Sequence, residues 1–289
     1  MALLSGKTIV VTGASSGIGF VTVALLIQRG FRVLGSVRKE ADAARLQADF
    51  GTAFTPLRFD VTDAEGIQAA AAQTRDLLAG ETLFGLVNNA GISVPGPLAY
   101  LPLDEFRRQL EVNLVSVLAV TQAFLPLLGA DKTLRGPKGR IVNVSSVGGK
   151  RAGPFIGAYH ASKFGLEGLS ESLRRELIVQ GIDVIVVGPG VIATSIWDKA
   201  EAADPIQYAH TEYAAPLASF RAYALALGRK GLPPERVAAV IVKALTTRRP
   251  RVRYAVVAPA LATALLPAIL PARLLDKLVA RRFGLLPEK

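Results

Sequence analysis

The chain alternates short apolar runs with longer segments in which apolar residues return every three or four positions. Strand-length runs lie at Thr8–Thr12, Arg32–Val37, Thr55–Asp60, Phe84–Asn88, Arg140–Ser145, Asp183–Val187 and Arg253–Val257. Most are continuously apolar rather than alternating, which suits strands buried on both faces of a parallel sheet. Between them the spacing predicts helices over Gly17–Arg29, Ala64–Leu78, Leu103–Leu128, Tyr159–Val179 and Pro233–Leu245. Gly30, Gly80 and Gly181 stand just past three of these, where a left-handed residue ends a helix, and prolines open the last. Strand–helix–strand alternation implies an α/β fold with a doubly wound sheet and right-handed crossovers.

No repeat, low-complexity tract or linker interrupts residues 1–289, so a single domain is expected. Two segments break the alternation. Residues 194–230, rich in Ala, Tyr and Leu, fall between the sixth and seventh strands, beyond the carboxyl ends where such sheets bind ligands; they are a candidate substrate lid. Trp197, Tyr208, Tyr213 and Phe220 are its candidate pocket residues, with Pro154 and Phe155 as a further wall; ordinary packing is the competing reading. The second segment, 255–289, is an apolar and basic extension.

Composition narrows the function classes. Half of the 289 residues are apolar and 20% charged, enough for a sizeable core. The absence of cysteine excludes disulfides, thiolate metal sites and a cysteine nucleophile. With two histidines, no metal site is expected. The first apolar run is too short for a secretory signal, and no uninterrupted apolar stretch reaches about 20 residues, so a cytoplasmic location is expected. The net charge of +11 is concentrated: residues 229–289 carry 13 Lys and Arg against 3 Asp and Glu. That region is apolar rather than rich in Gly, Ser and aromatics, which argues against nucleic acid. Leu274, Leu275, Leu278 and Val279 recur at helical spacing beside Arg273, Lys277, Arg281 and Arg282. They predict an amphipathic cap that covers the lid, packs on a partner subunit, or rests peripherally on an anionic membrane. Pro259, Pro267 and Pro271 argue against a straight span.

Chemistry-bearing residues collect at strand ends. The first strand–helix turn, VTGASSGIGF, places Gly13, Gly17 and Gly19 where backbone N–H groups can approach a pyrophosphate at the positive end of a helix. Ser15 and Ser16 are suited to cap that helix or donate to phosphate. Tight strand–helix packing would use the same glycines. NNAG (Asn88–Gly91) follows the fourth strand, Ser145 and Ser146 end the fifth, and Pro189–Thr194 ends the sixth. YHASK places Tyr159 thirteen residues after Ser146 and Lys163 one helical turn further. Alone, a Tyr and a Lys at that spacing also read as a solvated helix face.

In this order, T-G-x-x-x-G-I-G, N-N-A-G, a strand-end serine, Y-x-x-x-K and P-G-x-x-x-T resemble the short-chain dehydrogenase/reductase superfamily, over roughly residues 5–255. The lid and the RVRYAVVAPA ending look most like its steroid- and retinol-dehydrogenase-like branch. The resemblance implies a Rossmann fold with a mostly parallel seven-stranded sheet of order 3-2-1-4-5-6-7. It implies a tetrad of Asn113, Ser146, Tyr159 and Lys163; Ser145 competes for the serine, and the spacing favours Ser146. Asn113, otherwise a surface residue, becomes a local helix kink. The cofactor residues implied are Gly13, Ser15, Ser16, Gly17, Ile18 and Gly19 at the phosphate turn, Asp60 and Val61 at the adenine, Asn89 and Gly91, and Pro189, Ile192 and Thr194 at the nicotinamide, with Tyr159 and Lys163. Asp60 also reads as a helix N-cap. A nearby ammonium and the positive nicotinamide are expected to lower the Tyr159 pKa toward the working pH.

At the end of the second strand, where NAD enzymes place an acid on the ribose, this chain has Val37 and then Arg38. A guanidinium suits a 2′-phosphate, so NADP(H) is expected over NAD(H). The expected activity is reduction of a carbonyl, or oxidation of a secondary alcohol, on a bulky apolar small molecule, by a homodimer or homotetramer. A catalytically idle NADP(H)-sensing regulator, and an epimerase or dehydratase of the same fold, are the alternatives.

Overall fold

The computed structural model describes residues 6–202, 205–258 and 271–287. Among these residues seven strands build one sheet, every pairing parallel, in the order β3-β2-β1-β4-β5-β6-β7. They are β1 (Thr8–Val11), β2 (Arg32–Val37), β3 (Phe54–Arg58), β4 (Gly85–Asn88), β5 (Arg140–Val144), β6 (Asp183–Pro189) and β7 (Arg253–Val256). The expected order is therefore the observed one.

Both faces of the sheet are covered, which is why its strands read as unbroken apolar runs. Ile9 and Val11 of β1 point to one face and Val10 to the other. The first face is roofed by α1 (Gly17–Gln28), α2 (Glu40–Phe50) and α9 (Pro234–Thr246), through Val23, Leu26, Leu46, Val237 and Ile241. The second is roofed by α3 (Ala64–Leu78), α5 (Ser116–Phe124) and α6 (Gly157–Glu176), through Ile67, Val120, Phe124 and Leu173. Each aliphatic side chain so buried contributes about 1.5–3 kcal/mol.

Three elements differ from expectation. Helix α2 carries only two buried residues, Ala43 and Leu46, too faint a stripe to register as a helix. The expected helix over 103–128 is divided. Helix α4 (Leu103–Leu110) passes through a π-helical turn, Glu111–Val115, into α5; there the Ser116 N–H reaches back to the Glu111 carbonyl. A second π turn, Pro126–Ala130, ends at Gly129, whose φ of 96° no helix continues. The N-cap of α3 is Asp63, which accepts from the Glu65 N–H, so Asp60 is not the cap.

The 194–230 segment folds into α7 (Ile196–Ala202), a 3-10 turn (Pro205–Tyr208) and α8 (Ala214–Arg229). The extension contributes α10 (Ala272–Phe283). Rings join them: Phe155 meets Tyr213 and Phe220, and Phe220 and Tyr223 meet Phe283 of α10. Pro259 and Pro267 lie outside the described residues. Among the described residues no helix is long and apolar enough to cross a membrane, and no cluster of His, Cys, Asp and Glu could hold a metal ion.

Candidate active site

The turn after β1 needs its glycines for separate reasons. Gly13 and Gly17 have φ of 66° and 56°, the left-handed region that side chains disfavour. Gly19 has ordinary dihedrals, but a Cβ there would overlap the Gly13 carbonyl and lie 2.6 Å from the Asn89 amide nitrogen. Ser16 occupies the N-cap of α1 without a side-chain capping bond, contrary to its expected role, so its hydroxyl is not spent on the helix. The turn is held from neighbouring strands: the Gly13 N–H donates to Ser36 Oγ at 2.9 Å, and the Asn89 amide donates to the Thr12 and Gly13 carbonyls at 2.9 and 3.2 Å. The Thr12 hydroxyl accepts from the N–H groups of Asn89 and Ala90. Arg45 of α2 donates to the Ser15 carbonyl at 2.7 Å. Ile18 packs on the core below. Small, polar residues in otherwise apolar strands, such as Ser36, were the available signal for these supports.

Arg38 is exposed and sits 3.5 Å from Asp60. Burial would raise the Asp60 pKa, but hydrogen bonds from the Thr62 N–H and hydroxyl, together with the Arg38 charge, pull it below the ordinary carboxylate value. Glu40 begins α2 and pairs with Arg58. Val61 is buried beside Asp60.

Asn113 lies inside the π turn, fully buried. Its oxygen accepts from the Ile92 N–H at 2.9 Å; its amide donates to the Ile92 carbonyl at 3.0 Å and to Ser162 Oγ at 3.1 Å. The surface reading of Asn113 is thereby set aside, and a π-helical turn stands where a local kink was expected. Gly91 stands beside it, where a Cβ would meet the Asn113 oxygen at 3.3 Å. Gln109, one turn earlier, grips the same loop through the Val94 N–H and the Ile92 carbonyl. The Gln109–Asn113 spacing on one helix face was its legible signal.

Ser146 follows β5 in extended conformation, its Oγ accepting from the Gly148 N–H at 2.9 Å and standing near enough to Tyr159 to favour its ionised form. Ser145 Oγ is buried with no hydrogen-bond partner among the described residues. Of the two serines, Ser146 is the one whose side chain influences the phenol. Lys163 is 6% exposed; its ammonium donates to the Val144 carbonyl at 2.9 Å and lies 5.9 Å from the Tyr159 ring centre. Burial lowers the Lys163 pKa from 10.5 to about 8, with the Glu167 carboxylate opposing. Tyr159 does not follow the expected direction: burial raises its pKa, and the Ser146 hydrogen bond only partly offsets this. The ammonium, itself destabilised by burial and turned onto a carbonyl, is too weak a neighbour to reverse the shift. His160 spans the loop between Ser146 and Tyr159, with Nδ1 on the Gly148 carbonyl and Nε2 accepting from the Gly153 N–H, both at 2.9 Å.

At the end of β6 the Pro189 carbonyl accepts from Ser146 Oγ at 3.4 Å. The Ile192 carbonyl accepts from Trp197, and a Cβ on Gly17 would meet the Thr194 side chain at 3.5 Å. The 189–194 loop therefore reaches the glycine turn. Trp197 packs against Gly228 of α8, while Tyr208, Tyr213 and Phe220 cluster with Phe155.

A glycine turn at a helix N-terminus and a Ser–Tyr–Lys group share the carboxyl edge of one parallel sheet, the arrangement of a nicotinamide-dependent oxidoreductase. The short chain dehydrogenase family model matches residues 7–205, and the chain belongs to that family. It is 35% identical over 269 residues to the NADPH-dependent 3-dehydrocapnine reductase of Ornithobacterium rhinotracheale, covering 93% of this chain and 94% of the relative. It is 40% identical over 197 residues to human retinol dehydrogenase 16, covering 68% and 60%. A short-chain dehydrogenase structure from Streptomyces avermitilis superposes with a TM-score of 0.75 at 28% identity, covering 96% of this chain and 98% of that one. The chain is an NAD(P)-dependent oxidoreductase acting on CH–OH or C=O groups, of the retinol-dehydrogenase-like branch.

Proposed function

We propose that this chain is an NADP(H)-dependent reductase of a bulky apolar carbonyl compound, reversible as an alcohol dehydrogenase, with Tyr159 as the acid–base. The observation that carries the reading is the half-buried Tyr159 phenol with the Lys163 ammonium 5.9 Å from its ring and the Ser146 hydroxyl near enough to oppose the rise in its pKa. Gly13, Ser15, Ser16, Gly17, Ile18 and Gly19 hold the pyrophosphate, using backbone N–H groups and the free Ser16 hydroxyl. Arg38 takes the 2′-phosphate; its pairing with Asp60 is solvent-exposed and costs little to exchange. Asp60 and Val61 border the adenine, Asn89 and Gly91 the adjoining ribose, and Pro189, Ile192 and Thr194 the nicotinamide, with Tyr159 and Lys163 at its ribose. The reduced nicotinamide supplies the hydride.

In reduction Tyr159 donates its proton to the carbonyl oxygen, and Ser146 donates a hydrogen bond to that oxygen and orients it. A phenol that stays protonated over a wide pH range suits the donor role. Asn113 shapes the π turn and thereby the floor of the site. The 194–230 segment is the lid, and the Phe155, Tyr213 and Phe220 rings favour an apolar substrate. The relative from Ornithobacterium rhinotracheale, an NADPH-dependent 3-dehydrocapnine reductase, supports this direction and cofactor. Four intact tetrad positions favour turnover over an idle sensor. NADPH oxidation is measured with steroid, retinoid and long-chain ketone substrates. Turnover by the wild type and its loss in Tyr159→Phe are expected; a Tyr159→Phe variant with wild-type turnover sinks the acid–base assignment.

Self-association follows from exposed Leu103, Val115 and Phe164 on α4, the π turn and α6. Light scattering is expected to give a dimer or tetramer. Helix α10 offers Arg273, Lys277, Arg281 and Arg282 with exposed Leu274 and Leu278 for peripheral contact with an anionic membrane. Flotation with acidic vesicles that does not weaken with salt, or does not occur, removes the membrane contact.

A further inference from the structure

Behind the Ser–Tyr–Lys group lies a charged cluster that the reaction as written does not use. Glu167 of α6 is 7% exposed, one helical turn beyond Lys163. Arg253, the first residue of β7, clasps it bidentately: Nε at 3.2 and 3.0 Å from the two carboxylate oxygens and Nη2 at 3.1 Å. The same Nη2 donates to the Ser146 carbonyl at 3.3 Å. That carbonyl also accepts from the Gly149 N–H at 3.1 Å. Lys150, from the loop after β5, approaches Glu167 at 3.4 Å from the solvent side.

Space is reserved for this cluster. A Cβ on Gly188 of β6 would overlap the Arg253 guanidinium, and one on Gly149 would press on Glu167 Cγ at 2.9 Å. A buried ion pair is a weak way to gain stability, since an apolar pair of the same volume often serves as well. Its bonds end instead on the backbone of the serine that meets the phenol and on the helix turn that carries the lysine.

We propose that Glu167 and Arg253 are positioning residues of the active site, holding the Ser146 backbone from behind and bracing the α6 turn that carries Lys163. The proposal rests on the acid–base reading above. Arg253 anchors the edge strand to β5 and α6 at one point, and the Ser146 hydroxyl is aimed by a carbonyl with two donors on it. Glu167 also places a negative charge near Lys163, which has Tyr159 beside it on α6, while Lys150 on the loop after β5 and Arg253 on β7 face Glu167 itself.

Arg253→Lys separates positioning from mere support, because a lysine keeps a charge pair with Glu167 but cannot also reach the Ser146 carbonyl in the same fork geometry. Melting temperature, kcat and the KM for NADPH are measured for wild type, Arg253→Lys, Arg253→Gln and Glu167→Gln. For Arg253→Lys the expected result is a melting temperature near wild type, kcat down about tenfold or more, and KM for NADPH within about twofold. Glu167→Gln is expected to move the alkaline limb of kcat/KM to lower pH, since a carboxylate that favours the ammonium is gone. The proposal is overturned if Arg253→Lys restores both stability and kcat, or if Arg253→Gln and Glu167→Gln melt earlier with unchanged kcat and pH profile. Tyr159→Phe in the same assay tests the acid–base reading by itself, so the two failures are told apart.

Discussion

Replacing Lys163 with methionine is expected to stabilise the protein while abolishing its turnover. The side chain is almost fully buried, and burial has lowered its pKa from 10.5 to about 8. That shift corresponds to about 3 kcal/mol against the charged form in the folded state. Methionine has a similar shape and no charge, but it leaves the Val144 carbonyl without the donor it has at 2.9 Å, a loss of about 1 kcal/mol. The net gain is about 2 kcal/mol at neutral pH, or an increase of about 3 °C in melting temperature for a chain of this size. Its pH dependence has a definite sign. Below pH 8 the lysine is protonated in both folded and unfolded chains, and the whole penalty is present. Between pH 8 and 10.5 the folded chain has lost the proton that the unfolded chain keeps, so wild-type stability rises with pH relative to the variant. The advantage of Lys163→Met should therefore be full at pH 7 and vanish toward pH 10.5. Thermal unfolding of the cofactor-free proteins followed by circular dichroism at pH 7, 9 and 10.5 measures it. A variant no more stable than wild type at pH 7, or an advantage that does not change with pH, refutes a destabilised buried ammonium.

Other outcomes follow from the same contacts. Gly19→Ala drives a Cβ into the Gly13 carbonyl, so NADPH affinity by fluorescence titration is expected to fall at least about tenfold while the circular dichroism spectrum is retained. Arg38→Ala is expected to lower the kcat/KM ratio of NADPH over NADH by about 1.5–3 kcal/mol, the range of a charge-assisted hydrogen bond, and an unchanged ratio removes the 2′-phosphate assignment. In reduction, kcat/KM is expected to be flat below pH 8 and to decline above it as free-enzyme Lys163 loses its proton; a flat profile through pH 9.5 contradicts this. Phe283→Ala cuts the contacts of α10 with Phe220 and Tyr223, and limited proteolysis is expected to cleave first within 271–287, with a stability loss of up to about 3 kcal/mol.

The strands, most of the helices and the glycine turn were legible in the order of residues because their causes are local. A strand covered on both faces must be apolar at every position, and Gly13 and Gly17 answer to backbone torsions of their own. The Ser146–Tyr159–Lys163 spacing was legible for a similar reason: it is set by one strand end and one helix turn. Helix α2 escaped because two buried residues, Ala43 and Leu46, leave too faint a period. The π turn at Asn113 was expected only through resemblance, since what sustains it is Ile92 on a different loop.

Tertiary structure alone decided which neighbours each reactive group has. The direction of the Tyr159 shift depends on how much protein surrounds it. Ser36 under Gly13 lies 23 residues away along the chain, Glu167 under Arg253 lies 86 away, and the Ser146 carbonyl lies 107 from that arginine. No periodicity reports such pairs. Propensity and pattern act over a few residues, whereas burial and charge act through space, and folding brings distant residues into the same few ångströms.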